Sequence, residues 1–225
     1  MYKVENRNKV ELFVVLLETI AAVFIMKFIL GKVETNGIWE LLVSSVLFFF
    51  VMPIITIKYI FKRTIGEYNL RKDISWPKGI ILLLATIFLS GVLALAVVKF
   101  GWINFLEVTN WSGAGSKYLI IFLDLIVLPG IIFSQDFFLR GFVMKTISRR
   151  WGFWAAVAVQ MLVAVAIKGY FDGNWAWQRM IIFAWMNLIL GVVAYHSRWI
   201  IFSTLLRWLY FLIFDLFIIY KFHIK

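Results

Sequence analysis

Long apolar stretches separated by short polar connections set the pattern of this chain. They fall at about residues 12–31, 38–60, 79–98, 118–147, 153–169, 180–196 and 199–221. Roughly 20 apolar residues cross a bilayer core as a helix, and most of these stretches are close to that length. The fourth is too long for one straight span, and Pro129–Gly130 offers a place to kink it. The pattern predicts an all-α polytopic transmembrane helix bundle of seven spans, or eight if the fourth stretch divides in two.

Composition agrees. Hydrophobic residues make up 63% of 225 residues, more apolar surface than a soluble domain of this size can cover. Met1 to Val10 is polar, and the run after it is long enough to span with no clear cleavage site, so no signal peptide is expected. Without cysteine there is no disulfide, thiol nucleophile or thiolate metal site. The net charge of +11 suits cytoplasmic loops of a membrane protein. A nucleic-acid partner is not expected, because no compact basic domain lies outside the spans. Basic residues concentrate in alternate connections, among them Lys58, Lys62, Arg63, Arg71, Lys72, Lys78, Arg149, Arg150 and Arg198. The positive-inside rule then puts the protein in the cell membrane with its N-terminus in the cytoplasm. The connection from Lys58 to Lys78 reads as a topology anchor on anionic lipid. Residues 1–225 read as one membrane domain.

Ionisable groups inside apolar runs need partners. The cations are Lys27, Arg140, Lys168 and Arg207, and the acidic or amide groups that can meet them include Glu18, Asp124, Gln135, Asp136 and Asp215. Lys27 is near a span end and can snorkel. Asp124 and Asp215 are close enough to span ends for water to serve them. Gln160 and Asn187 read as interhelical hydrogen-bonders rather than site residues. Arg207 stands among Leu205, Leu206, Trp208 and Leu209, so it must face the bundle interior. Asp136 is the obvious counter-ion.

Catalytic chemistry is hard to assemble from these groups. The two histidines, His196 and His223, lie in a short turn and in the tail, and no HExxH pair is present. Gln135 cannot act as a base, and an arginine neither ligates a metal nor releases its proton. Ser134 reads as a hydroxyl bonding its own helix.

The run Gln135-Asp136-Phe137-Phe138-Leu139-Arg140-Gly141 resembles the EExxxRG motif of the CAAX-protease and bacteriocin-processing (CPBP, or Abi) membrane proteins. That family carries FxxxH and then HxxxN or HxxxD on later helices, and is known for intramembrane metalloprotease-like glutamate and histidine sites. By spacing, FxxxH falls on Ala164 and Lys168, and the later histidine and Asn/Asp positions fall on Arg207 and Phe211. The resemblance covers residues 118–214. It implies a retained scaffold whose catalytic groups are replaced, with Gln135, Asp136, Arg140, Lys168 and Arg207 converging as a vestigial ionic site. No metal and no cofactor are expected. The implied role is binding: a membrane scaffold, a partner regulator or a bacteriocin immunity factor. Its expected partners are membrane lipid and another membrane or envelope protein. The competing readings are an active intramembrane metalloprotease-like endopeptidase with atypical residues, and a small transporter component.

Overall fold

The computed structural model describes residues 2–30, 38–68, 117–172 and 176–222, with positions 77, 80, 81, 84–88, 92 and 99 between them. Among the described residues every regular element is helical. The chain runs through α1 (Tyr2–Leu30), α2 (Ile38–Val46), α3 (Met52–Ile55), α4 (Lys117–Asp136), α5 (Met144–Asp172), α6 (Trp177–Ser197) and α7 (Ile200–Phe222). π-helical turns at Leu47–Val51 and Thr56–Ile60 flank α3, and another at Phe137–Val143 carries α4 into α5. A helix pairs its own backbone groups, which is why runs this apolar adopt it.

The stretches Leu41–Ile60, Lys117–Gly169 and Trp177–Ser197 are long and apolar enough to cross a membrane, and Ile200–Ile213 is a shorter apolar helix. The expected span at 79–98 lies largely outside the described residues. α4 shows the membrane pattern clearly. Ile120, Leu123, Val127, Leu128, Ile131 and Ile132 are buried, while Tyr118, Phe122, Leu125 and Ile126 on its other side are exposed. A helix apolar on both sides suits protein on one face and lipid on the other.

The fourth stretch is not broken at Pro129–Gly130, where the sequence left a kink or a division open. α4 continues through Pro129 to Asp136, and the irregularity comes later, in the π-helical turn. A true interruption lies at Gly152, with φ 79° and ψ −178°, a conformation essentially confined to glycine. α4 packs against α2 and α7, α5 against α1 and α6, and α6 against α7.

Every residue from Asp136 to Met144 is buried, so this segment is the axis of the bundle. Its aromatic side chains meet the π-helical turn at Leu47–Val51 and Phe61, the residue that closes the turn at Thr56–Ile60. Phe138 lies 5.1 Å from Phe49, Phe137 lies 5.1 Å from Phe50, and Phe142 stacks on Phe61 at 5.9 Å between ring centroids. The sequence-read motif therefore sits at the most enclosed point of the fold.

Candidate functional site

Asp136 is the last α-helical residue of α4, and Arg140 lies one turn on, within the π-helical turn. Both are fully buried. π-helical turns inside α-helices recur at functional sites, because the extra residue re-aims side chains. Arg140 Nη1 donates to Asp136 Oδ1. The same oxygen accepts from Arg207 Nη1 at 3.0 Å, and Oδ2 accepts from the Thr204 hydroxyl at 3.3 Å. Arg207 also donates through Nη2 to Gln135 Oε1 at 2.7 Å. Its guanidinium faces the Phe211 ring, 5.8 Å from the centroid.

The network extends to α5 and α6. Arg140 Nη2 donates to Asn187 Oδ1 at 3.0 Å, and Gln160 Nε2 approaches the same oxygen at 3.5 Å. Asn187 Nδ2 donates to the Phe183 carbonyl one turn earlier at 2.9 Å. Gly191 leaves room for the Gln160 amide: a Cβ there would lie 2.5 Å from Gln160 Oε1. Side chains of four helices and the π-helical turn thus join in one network around Asp136.

The structure brings Gln135, Asp136, Arg140 and Arg207 together. Lys168 is half-buried on α5, and the groups bonded to Asp136 include Arg140, Thr204 and Arg207. The α5 residue that enters is Gln160, eight positions before Lys168 and about 12 Å along the axis at 1.5 Å per residue. Thr204, Asn187 and Gln160 complete the cluster without having been assigned to it. Thr204 had a local signal, since it stands three residues before Arg207 on the same helix face. The other two had only their polarity.

Further expectations have direct outcomes. Ser134 Oγ donates to the Gly130 carbonyl at 2.8 Å, as its position suggested. Glu18 is buried and accepts from the Thr56 hydroxyl at 2.8 Å. Asp124 and Asp215 are not served by water at span ends. They are 1% and 2% exposed and hydrogen-bond to each other across the α4–α7 contact. Trp208 Nε1 donates to the Asp124 carbonyl at 2.7 Å. His196 is exposed and packs against Phe153 at 5.1 Å. The side chains of Lys27 and His223 lie outside the described residues.

A second ionic network fastens the connection at residues 61–68. Arg63 Nε donates to Glu11 Oε1 at 2.8 Å, and Arg149 Nη1 donates to the Tyr68 hydroxyl at 2.9 Å. Arg149 Nη2 donates to Glu67 Oε2 at 3.1 Å, and Thr64 Oγ1 donates to Glu67 Oε1 at 3.0 Å. The Arg149 guanidinium also covers the Tyr68 ring at 4.7 Å. Burial raises the Glu67 carboxyl, but the Thr64 hydrogen bonds and then Arg149 and Arg63 outweigh it and hold the group below its ordinary range. Burial pushes the Tyr68 phenol up, with Arg149 opposing. Gly141, the last residue of the motif, lies under this network: a Cβ there would stand 3.1 Å from the Tyr68 carbonyl. Arg140 and Gly141 thus serve different neighbours, one a carboxylate and the other a loop backbone.

The donor set at Asp136 does not fit a metal. Both carboxylate oxygens are engaged by cationic or hydroxyl donors, and two guanidiniums would repel a metal cation. Among the described residues no group of three or more His, Asp or Glu side chains is placed to hold one. What the cluster can do is join helices and hold charge. Compared with known protein families, curated proteins and solved structures, the chain matches none of them.

Proposed function

We propose that this chain is a seven-span protein of the cell membrane, with a cytoplasmic N-terminus, and a catalytically inactive relative of the CPBP intramembrane proteases. It acts by binding, as a membrane scaffold, a regulator of a membrane or envelope partner, or a bacteriocin immunity factor. One observation carries this reading: Arg207 donates to Gln135 at 2.7 Å and to Asp136 at 3.0 Å. The positions at which the resemblance places a base and a ligand are thus occupied by an amide and a cation bonded to one another. Neither accepts a proton at neutral pH, so metal-assisted hydrolysis has no base there.

The test is cleavage of a peptide library by the full chain in detergent, beside Asp136→Asn, with zinc supplied and metal content measured. No cleavage and no stoichiometric zinc are expected of either protein. Cleavage by the wild type that disappears in Asp136→Asn would overturn the proposal. Capture of one defined membrane protein in apparent stoichiometric amount under mild detergent would support it.

A further inference from the structure

Asp124 and Asp215 make a second buried acidic contact, apart from the Asp136 cluster. Both are buried, and they hydrogen-bond to each other between α4 and α7. An ionised carboxylate only accepts hydrogen bonds, so two ionised ones cannot bond to each other. The contact therefore needs a proton on one of the pair, whatever else Asp124 touches.

Packing explains why the two acids meet. Trp208, Phe211 and Asp215 are spaced i, i+3 and i+7, so they share one face of α7. Trp208 and Phe211 pack against the buried apolar face of α4 that includes Leu123 and Val127, on either side of Asp124 in the chain. Trp208 Nε1 donates to the Asp124 carbonyl at 2.7 Å, which fixes the register of the two helices. Two turns later α7 delivers Asp215 to the Asp124 side chain. A second oxygen says which acid holds the proton. Among the described residues no donor reaches the buried Asp215 Oδ2. A charged oxygen left that way would be costly, whereas the oxygen of a neutral carboxyl is far cheaper to leave unserved.

The titratable groups on the packed elements at this end of the bundle are Lys117 and Tyr118 of α4, Tyr210 of α7 and Arg179 of α6. The side chains of Glu40 on α2, and of Tyr220 and Lys221 on α7, lie outside the described residues. The Asp136 cluster begins at Arg207, eight residues and about 12 Å back along α7. The charge that acts on Asp215 is that of Asp124.

We propose that Asp124 and Asp215 form a proton-binding site inside the bundle: Asp215 holds the proton and donates it to the Asp124 carboxylate, joining α7 to α4. Releasing the proton sets two buried carboxylates side by side, and their repulsion loosens the second half of α7 from α4. The helix contact is thereby coupled to proton uptake. A metal ion is the poorer occupant, since among the described residues no third acid or histidine joins the pair. The site does not depend on the chain's being a relative of any protease.

The test compares the full chain in neutral detergent as wild type, Asp215→Asn and Asp124→Asn. Infrared difference spectra, mildly acid minus alkaline, should show in wild type a protonated-carboxyl C=O band that shifts in D2O. The band should be missing from Asp215→Asn, and any signal from Glu18 is common to both proteins and cancels between them. Thermal unfolding across the same pH range gives the second readout. A proton held by the native pair and not by the unfolded chain makes stability fall as pH rises, by up to about tenfold in the unfolding constant per pH unit. In Asp215→Asn an amide donates to Asp124 without a titrating proton, so that component of the decline should be absent. If Asp215→Asn does not fold, Asp124→Asn removes the neighbouring charge and should change the pH at which the band disappears. The same band and the same unfolding profile in wild type and variant would overturn the proposal. So would protection of wild type at alkaline pH by sodium over choline at matched ionic strength, which would make the pair a cation site.

Discussion

Asp136 is 0% exposed between the guanidiniums of Arg140 and Arg207, whereas Glu67 is 38% exposed between those of Arg63 and Arg149. The two arrangements look alike on paper, one carboxylate shared by two arginines. Their energetics differ because water reaches only one of them. At Glu67, solvent and salt screen each pair, and surface pairs contribute little individually. At Asp136 nothing screens the charges, so removing one member strands the others at high cost. The rim network has a second acid, Glu11, for its second arginine. The buried cluster has Gln135 instead. Position in the bundle, rather than residue type, decides which network holds the fold and which merely fastens a loop.

The sharpest break in that comparison is Asp136→Asn. It leaves two buried guanidiniums without their carboxylate and should cost about 3–5 kcal/mol. The check is thermal unfolding of the detergent-solubilised chain; a change no larger than that of a surface variant would mean that the cluster does not hold the helices. Next in size is Gly191→Ala, whose new methyl would meet Gln160 Oε1 at 2.5 Å. That oxygen is the far end of a flexible side chain that can swing aside, so the cost should be about 1 kcal/mol, the low end of overpacking. Adding Gln160→Ala should recover part of the loss, and strict additivity of the two changes would refute the contact as its cause.

Smaller effects belong to the rim. Glu67→Gln should cost less than about 1 kcal/mol, and high salt should erase the difference from wild type. The Asp136→Asn deficit should survive the same salt, which tests the contrast directly. Acid should act like the Glu67 substitution. The folded carboxyl titrates below the ordinary 4.5, so its contribution is present above that value and fades as pH falls through the folded one. Tyr68 gives the opposite limb: its phenol is raised above 10, and its contribution is present below 10 and fades as pH rises past it. Hydrogen exchange at residues 61–68 across pH would show both limbs, and a flat profile would remove the clasp from the account.

Much of the site was legible before the fold. Asp136 and Arg140 are four apart in an apolar run, so a helix puts them on one face and lipid forbids leaving them alone. Arg207 declared itself by its apolar neighbours, which leave it no direction but inward. Lys168 was placed by family spacing, which counts residues, while side-chain delivery depends on rotation and depth. Gln160 enters the cluster where Gly191 on the facing helix leaves room for its amide, a fact that only the paired helices contain. Asp124 and Asp215 were misjudged for a similar reason. Distance from a span end suggests water, but the α4–α7 contact buries both carboxyls.

By itself the sequence determined that the chain is helical, that its apolar stretches suit a membrane, and that the buried charges of its motif must be partnered. Those conclusions follow from hydrophobic period and the cost of unpaired charge, which are properties of a single segment. Tertiary structure decided which oxygen each guanidinium takes, that Gln160, Asn187 and Thr204 complete the set, and that two arginines share one carboxylate. It also decided that Gly141 serves the Tyr68 backbone and not the ionic cluster. These depend on the relative rotation and approach of packed helices, and side chains far apart in the chain meet only once those helices are in place.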